Sequence, residues 1–139
     1  GTGAQMDELK QEIGKSDQYF VLGQIDIGKE MPEYDYVCLF SKNEGLGLTL
    51  IEGCMFGKPL ISNDLASVQD VNINGYNGFV ADTWEKLVIC LNSLPLPNSE
   101  KYQSLSKHSR ALYEKRFRAS TMINEYKTII QSFSNQNER

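Results

Sequence analysis

Apolar and polar positions change period several times along this chain, and each change marks an element. Met6 to Ile13 spaces its apolar residues as a short helix, and Tyr19-Phe20-Val21-Leu22 reads as a strand. Residues 30–34 leave room for one helical turn, limited by Pro32. Tyr36 to Phe40 is continuously apolar, which predicts a strand buried on both faces. A second apolar block, Leu46 to Phe56, is long enough for a helix; its apolar residues cover most of a helical wheel, so a buried helix is expected. Leu60 to Ser62 reads as a strand, Ser67 to Val71 as a helical turn and Phe79 to Val80 as a short strand. Trp84 to Leu94 is amphipathic, and Pro95 and Pro97 then break the chain. Two further helices are expected, about Ser99–Arg116 and Ser120–Phe133, before a polar tail, Ser134 to Arg139, that should fray. Alternating β and α elements predict an α/β fold with a parallel sheet flanked by helices, in one domain over residues 1–133.

The most informative stretch joins the strand at Tyr36 to the helix after it. Ser41-Lys42-Asn43-Glu44-Gly45-Leu46-Gly47 is a polar, glycine-bearing turn, and Glu52 interrupts the apolar helix that follows. Gly57 suits a helix C′ position and Pro59 a stop. Strand, turn, helix and strand make a βαβ unit whose helix N-terminus lies at the carboxyl edge of the sheet. Open α/β sheets bind ligands at that edge, and helix N-termini favour phosphate. A carboxylate within an apolar helix needs a polar partner. Thr49, Glu52 and Gly53 share one face by spacing, so small neighbours are expected to leave room for such a partner.

Glu44 and Glu52, with Gly45-Leu46-Gly47 between them and Gly57-Lys58-Pro59 after, resemble the signature of the retaining group 1 (family 4) glycosyltransferases. Ser41, the segment Asn74-Gly75-Tyr76-Asn77-Gly78-Phe79-Val80, Arg116-Phe117 and the upstream Phe20-Val21-Leu22-Gly23-Gln24 extend the match in order. The resemblance implies two Rossmann-like domains and a nucleotide-sugar donor, with this chain as a C-terminal donor-binding domain truncated at its N-terminus. It implies hexosyl transfer with retention, in polysaccharide or glycolipid synthesis of a bacterial cell envelope, at a cytoplasmic location. By the same match Glu52 binds the ribose hydroxyls and Glu44 contacts the donor sugar as the catalytic residue. The backbone of Gly45, Leu46, Gly47 and Leu48 meets the diphosphate, and Ile25 lies in the base-contacting stretch. The acceptor groove and a basic Arg/Lys pair are expected on segments outside this chain, including a missing N-terminal domain. The chain alone is therefore expected not to transfer sugar.

Composition narrows the partners. Net charge is −4 and the isoelectric point about 5.0, which argues against a nucleic-acid surface. Cys38, Cys54 and Cys90 lack ligand spacing and read as small hydrophobes; no Asp-x-Asp motif is present, so neither metal nor cofactor is expected beyond the nucleotide-sugar substrate. Asp64 reads as a cap for the helical turn after it. His108, the single histidine, lies in a polar helix and reads as structural. Lys107, Arg110, Lys115, Arg116 and Arg118 form a basic cluster, a solvated face with peripheral contact to the inner membrane surface as the alternative. Tyr113, Phe117, Met122, Tyr126 and Ile130 recur at helical spacing and predict core packing. Three rival readings stand beside the transferase: a sugar-nucleotide epimerase of the same architecture, a dinucleotide-binding oxidoreductase suggested only by Gly1-Thr2-Gly3, and a noncatalytic nucleotide-binding fragment. Met6 occupies the place of the third glycine, which counts against the oxidoreductase.

Overall fold

The computed structural model describes residues 3–14 and 16–136, the last three of these by backbone alone. The chain divides into two compact units, Gly1–Glu33 and Tyr34–Arg139. The turn suggested by Gly1 and Thr2 falls outside the described residues.

The first unit is helical. Helix α1, Met6–Ile13, ends at Gly14, whose φ of 59° suits a residue without a Cβ. The Ser16 hydroxyl accepts from the N–H groups of Gln18 and Tyr19 at 3.1 Å each. Residues 19–22 are not a strand: no backbone ladder engages them, and Tyr19, Phe20 and Leu22 are exposed. Apolar content favours a strand only where a neighbour satisfies its backbone groups, and none of the described strands does so here. Helix α2, Ile27–Glu30, is capped by Asp26, which accepts from Gly28 N–H at 3.0 Å. It runs into a 3₁₀ turn at Met31–Glu33. The expected single turn at 30–34 thus starts earlier and is longer.

The second unit holds a parallel sheet in the order β1-β2-β3, from Val37–Leu39, Leu60–Ser62 and Gly78–Val80. Val37 pairs with Leu60 and Leu39 with Ser62; Leu60 in turn pairs with Gly78. Helix α3, Leu48–Met55, connects β1 to β2 as expected for a βαβ unit. Helices α4, Trp84–Asn92, and α5, Glu100–Leu112, follow, each capped by a hydroxyl: Thr83 accepts from Lys86 N–H and Ser99 from Tyr102 N–H.

Alternation along the strands sends residues to opposite layers. Val37 and Leu60 meet α3 at Gly53, where an added Cβ would stand 2.9 Å from Leu60 Cδ2 and 3.0 Å from Val37 Cγ2. Ile61, Ala81 and Leu87 form the core beneath α4, with Tyr36, Phe40, Cys90 and Leu94 packed against it. α5 covers α3 from outside through buried Tyr102, Leu105, Ser109 and Leu112. A small buried polar network ties these parts together. Asn77 accepts from Ile73 N–H and donates to Val71 O, both at 2.8 Å. Ser109 donates to Lys58 O at 2.8 Å and to Asn77 O at 3.2 Å.

Three expectations about burial are corrected. β1 is an edge strand that pairs with β2 alone among the described residues, and Cys38 on it is exposed, so the strand is not covered on both faces. α3 starts at Leu48, two residues later than expected, and is half-buried: Leu50, Gly53 and Cys54 face inward, whereas Leu48, and Leu46 in the turn before it, are more than half exposed. The stripe expected to pack in the core does so only in part: Tyr113 and Phe117 are half-buried and its α6 portion is at the surface. A π-helical turn at Tyr113–Phe117 interrupts the predicted helix 99–116, and helix α6, Ala119–Gln136, leaves from it. Met122, Tyr126 and Ile130 on α6 are exposed, because helical spacing records an apolar face and not what covers it. α6 continues three residues past Phe133 into the segment expected to fray; residues 137–139 lie outside the described residues.

Candidate functional site

The site is built where β1 and β2 diverge at their carboxyl ends. Their ladder closes with Leu39 opposite Ser62, and the side chain of Asn63 then takes over. Its Nδ2 donates to Ser41 O at 2.6 Å, while its Oδ1 accepts from Ser41 N–H at 3.2 Å. The chain from Ser41 onwards is thereby fixed at one end. At the other end Gly47 adopts φ 65° and ψ 49°, a left-handed conformation at the N-cap of α3. A side chain there would be strained and would also meet Val68 Cγ1 at 2.9 Å.

Glu44 lies between these anchors, partly buried, and its Oε1 accepts from Gly47 N–H at 3.3 Å. A carboxylate beside the first turn of a helix is favourably placed against the helix dipole. The next donors of α3, the N–H groups of Leu48 and Thr49, have no protein acceptor among the described residues, while those of Leu50 and Ile51 turn back to Gly47 O. Gly45 and Leu46 are exposed. One turn into α3, Glu52 is half-buried, and no protein group bonds its carboxylate among the described residues. Gly53 does not open space beside Glu52, as its spacing suggested. It is buried against Val37 and Leu60, so its missing side chain serves helix-to-sheet packing.

The second unit therefore gathers Glu44, Gly45, Leu46, Gly47, Leu48 and Glu52 around one helix start. Ile25 belongs to the first unit, 38% exposed, just before the cap of α2. Asp64 does not cap the turn that follows; its Oδ1 accepts from Gln69 Nε2 at 3.0 Å. Among the described residues no three His, Cys, Asp or Glu side chains are grouped to hold a metal ion. Asn63 was not singled out as a site residue, since an asparagine after a strand is an ordinary turn residue by sequence.

Three of the remaining polar candidates, His108, Arg110 and Arg116, have structural partners. His108 stacks on the Tyr76 ring with centroids 4.1 Å apart, and its Nδ1 is 2.9 Å from Tyr76 O. Arg110 caps the C-terminal end of α3 by donating to Met55 O and also pairs with Glu114 at 2.8 Å. Arg116 reaches Asp70 at 3.5 Å. Burial pushes the Cys54 thiol up to about 11, against the lowering effect of Ser109 and Asn77; the Cys38 thiol, although solvent reaches the residue, is also raised, by partial desolvation foremost and by Cys90. Neither thiol suits a nucleophile.

Comparison with known proteins gives the family. The chain belongs to the group 1 glycosyl transferases, whose family model matches residues 1–112. It is 26% identical over 137 residues to a 41.2 kDa protein of the cps region of Klebsiella pneumoniae, covering 94% of this chain and 37% of that protein. It is 26% identical over 117 residues to the Vi polysaccharide biosynthesis protein VipC/TviE of Salmonella typhi, covering 81% of this chain and 20% of that protein. Crystal structures of HepE from Anabaena share the fold. The complex with UDP-glucose gives a TM-score of 0.75 at 23% identity over 94% of this chain and 38% of that one. The complex with UDP and glucose gives 0.74 at 23% identity, over 91% and 36%. The chain thus spans little more than a third of the Klebsiella protein and of HepE. Among the described residues no helix is long and apolar enough to cross a membrane.

Proposed function

We propose that this chain is the donor-binding part of a retaining glycosyltransferase that takes a nucleotide-diphosphate sugar and acts in polysaccharide assembly. The observation that carries the reading is the placement of two carboxylates on one helix start at the carboxyl edge of a parallel sheet. Glu44 sits at the N-cap turn, and Glu52, half-buried, has no protein partner among the described residues. An ionised carboxylate accepts two hydroxyl protons side by side, which matches the vicinal diol of a ribose. In this reading Glu52 holds the ribose and Glu44 the donor sugar. The backbone from Gly45 to Leu48, exposed at Gly45, Leu46 and Leu48 and with the Gly47 N–H held by Glu44, faces the diphosphate, with the α3 dipole adding modest attraction. The name of the Salmonella relative supports the polysaccharide setting, and the ligands of HepE are the reason to try a uridine diphosphate sugar first.

Transfer breaks the bond between the anomeric carbon and the diphosphate oxygen, whose electron pair leaves with the diphosphate. The acceptor hydroxyl adds to the same face and gives its proton to the departing phosphate oxygen. Stabilising that leaving charge is the main electrostatic task. In this reading residues 1–139 supply donor contacts and show weak nucleotide binding at most by themselves, and transfer belongs to the longer protein. Calorimetric titration of the intact protein with UDP, GDP, ADP and UDP-glucose tests the assignment. Saturable binding of one nucleoside diphosphate, weakened by Glu52→Gln, supports it; binding of none, or equal binding by the variant, refutes it.

A further inference from the structure

We propose that Asn63 is a positioning residue that sets Glu44 for the donor sugar, an inference that rests on the reading of Glu44 given above. A primary amide carries its carbonyl oxygen and one of its two N–H donors on the same edge, so it can meet both main-chain groups of a single extended residue. Asn63 uses both on the same residue, Ser41, just past the last rung of the β1–β2 ladder. Its own carbonyl is already committed to the following turn, where it accepts from Leu65 N–H at 3.2 Å. The side chain thus substitutes for a sheet rung that the backbone has given up. The chains separate at this point and open the edge where the Glu44 turn lies.

The consequence falls on Glu44. The turn is held at Ser41 by the Asn63 amide and at Gly47 by the left-handed backbone and the Glu44 bond, while Lys42 and Asn43 between them are exposed. Releasing the Ser41 end frees three residues of chain directly before Glu44. Glu52 is on the helix itself and keeps its place. Loss of the amide should therefore misplace the sugar contact and leave the nucleotide contact intact. A displacement on the order of 1 Å at a positioned group costs about a hundredfold in rate.

The test compares Asn63→Ala and the near-isosteric Asn63→Asp in the intact enzyme, each with and without Glu44→Gln. Asn63→Asp keeps an acceptor for Ser41 N–H and loses the donor to Ser41 O. The readouts are release of UDP from UDP-glucose, UDP affinity by calorimetry and thermal unfolding. Expected are a kcat lowered about tenfold to a hundredfold, UDP affinity kept within about twofold, and little further loss when Glu44 is already Gln. A parallel fall in UDP affinity and kcat overturns the proposal, because a general structural role would give that result. A fall that multiplies with the effect of Glu44→Gln overturns it too, while leaving the Glu44 reading intact. Undiminished turnover of the Glu44→Gln single variant overturns that reading and the positioning role with it. Should Asn63→Ala fail to fold, Asn63→Asp carries the same comparison.

Discussion

The carboxylate of Glu44 accepts the N–H of Gly47 at 3.3 Å, so the residue assigned to the donor sugar also closes the turn that starts α3. Its structural and chemical duties can be separated by substitution. Glu44→Gln keeps an acceptor oxygen for Gly47 and should unfold like the wild type, while turnover falls. Glu44→Ala removes the acceptor as well and should lose about 1 kcal/mol of stability, the usual net worth of one hydrogen bond. Thermal denaturation beside a UDP-release assay reads both effects. Equal destabilisation by Gln and Ala would show that the hydrogen bond contributes nothing.

Glu52 should behave differently. Its half-buried carboxylate makes no protein hydrogen bond among the described residues, so Glu52→Gln ought to leave the fold unchanged. An amide keeps only one acceptor for a ribose diol, and a hydrogen bond to a charged group is worth about 1.5–3 kcal/mol. Calorimetry should therefore show nucleotide affinity reduced by about tenfold or more.

Gly78 and Gly53 give a graded pair. A Cβ at Gly78 would run into the backbone carbonyl of Leu60, which cannot give way, and into Asn72 Oδ1, whose amide is held by the bonds of its Nδ2 to Ser62 and Phe79. At Gly53 the same atom meets methyl groups of Leu60 and Val37, and helix propensity gains about 1 kcal/mol from the change to alanine. Gly78→Ala should cost at least about 3 kcal/mol and Gly53→Ala about 1–2 kcal/mol, measured by denaturant unfolding. A reversed order would refute the packing argument.

Asn77 tests the buried network. Asn77→Ala leaves Ile73 N–H and Val71 O without their side-chain partner. Each orphaned group costs about 1–3 kcal/mol, so a marked drop in the unfolding midpoint is expected. A drop below about 0.5 kcal/mol would mean that water replaces the amide freely.

Alkaline pH should find Tyr36. Burial foremost, with Tyr102 and Asp35 adding, raises its phenol from 10.0 to about 12, and its hydroxyl donates to Pro95 O at 2.6 Å. A raised folded value means that this contribution is complete below pH 10 and fades as pH climbs towards about 12. Denaturation followed across that window should show stability falling, and Tyr36→Phe should flatten the fall.

Much of this protein was legible in the residues alone. Continuous apolar runs at Val37 and Leu60, the glycines of the Glu44 turn and the stop at Pro59 determine a βαβ unit by local rules, and the motif spacing pointed to the family that the comparison shows. Tertiary structure decided the rest, because burial and pairing depend on neighbours that no local pattern encodes. It left residues 19–22 without a ladder and turned the α6 stripe to the surface. It put Gly53 against the sheet instead of beside Glu52, and it joined Asn63 to Ser41 across 22 positions. A side chain's periodicity fixes which face it occupies; only the folded chain fixes what that face meets.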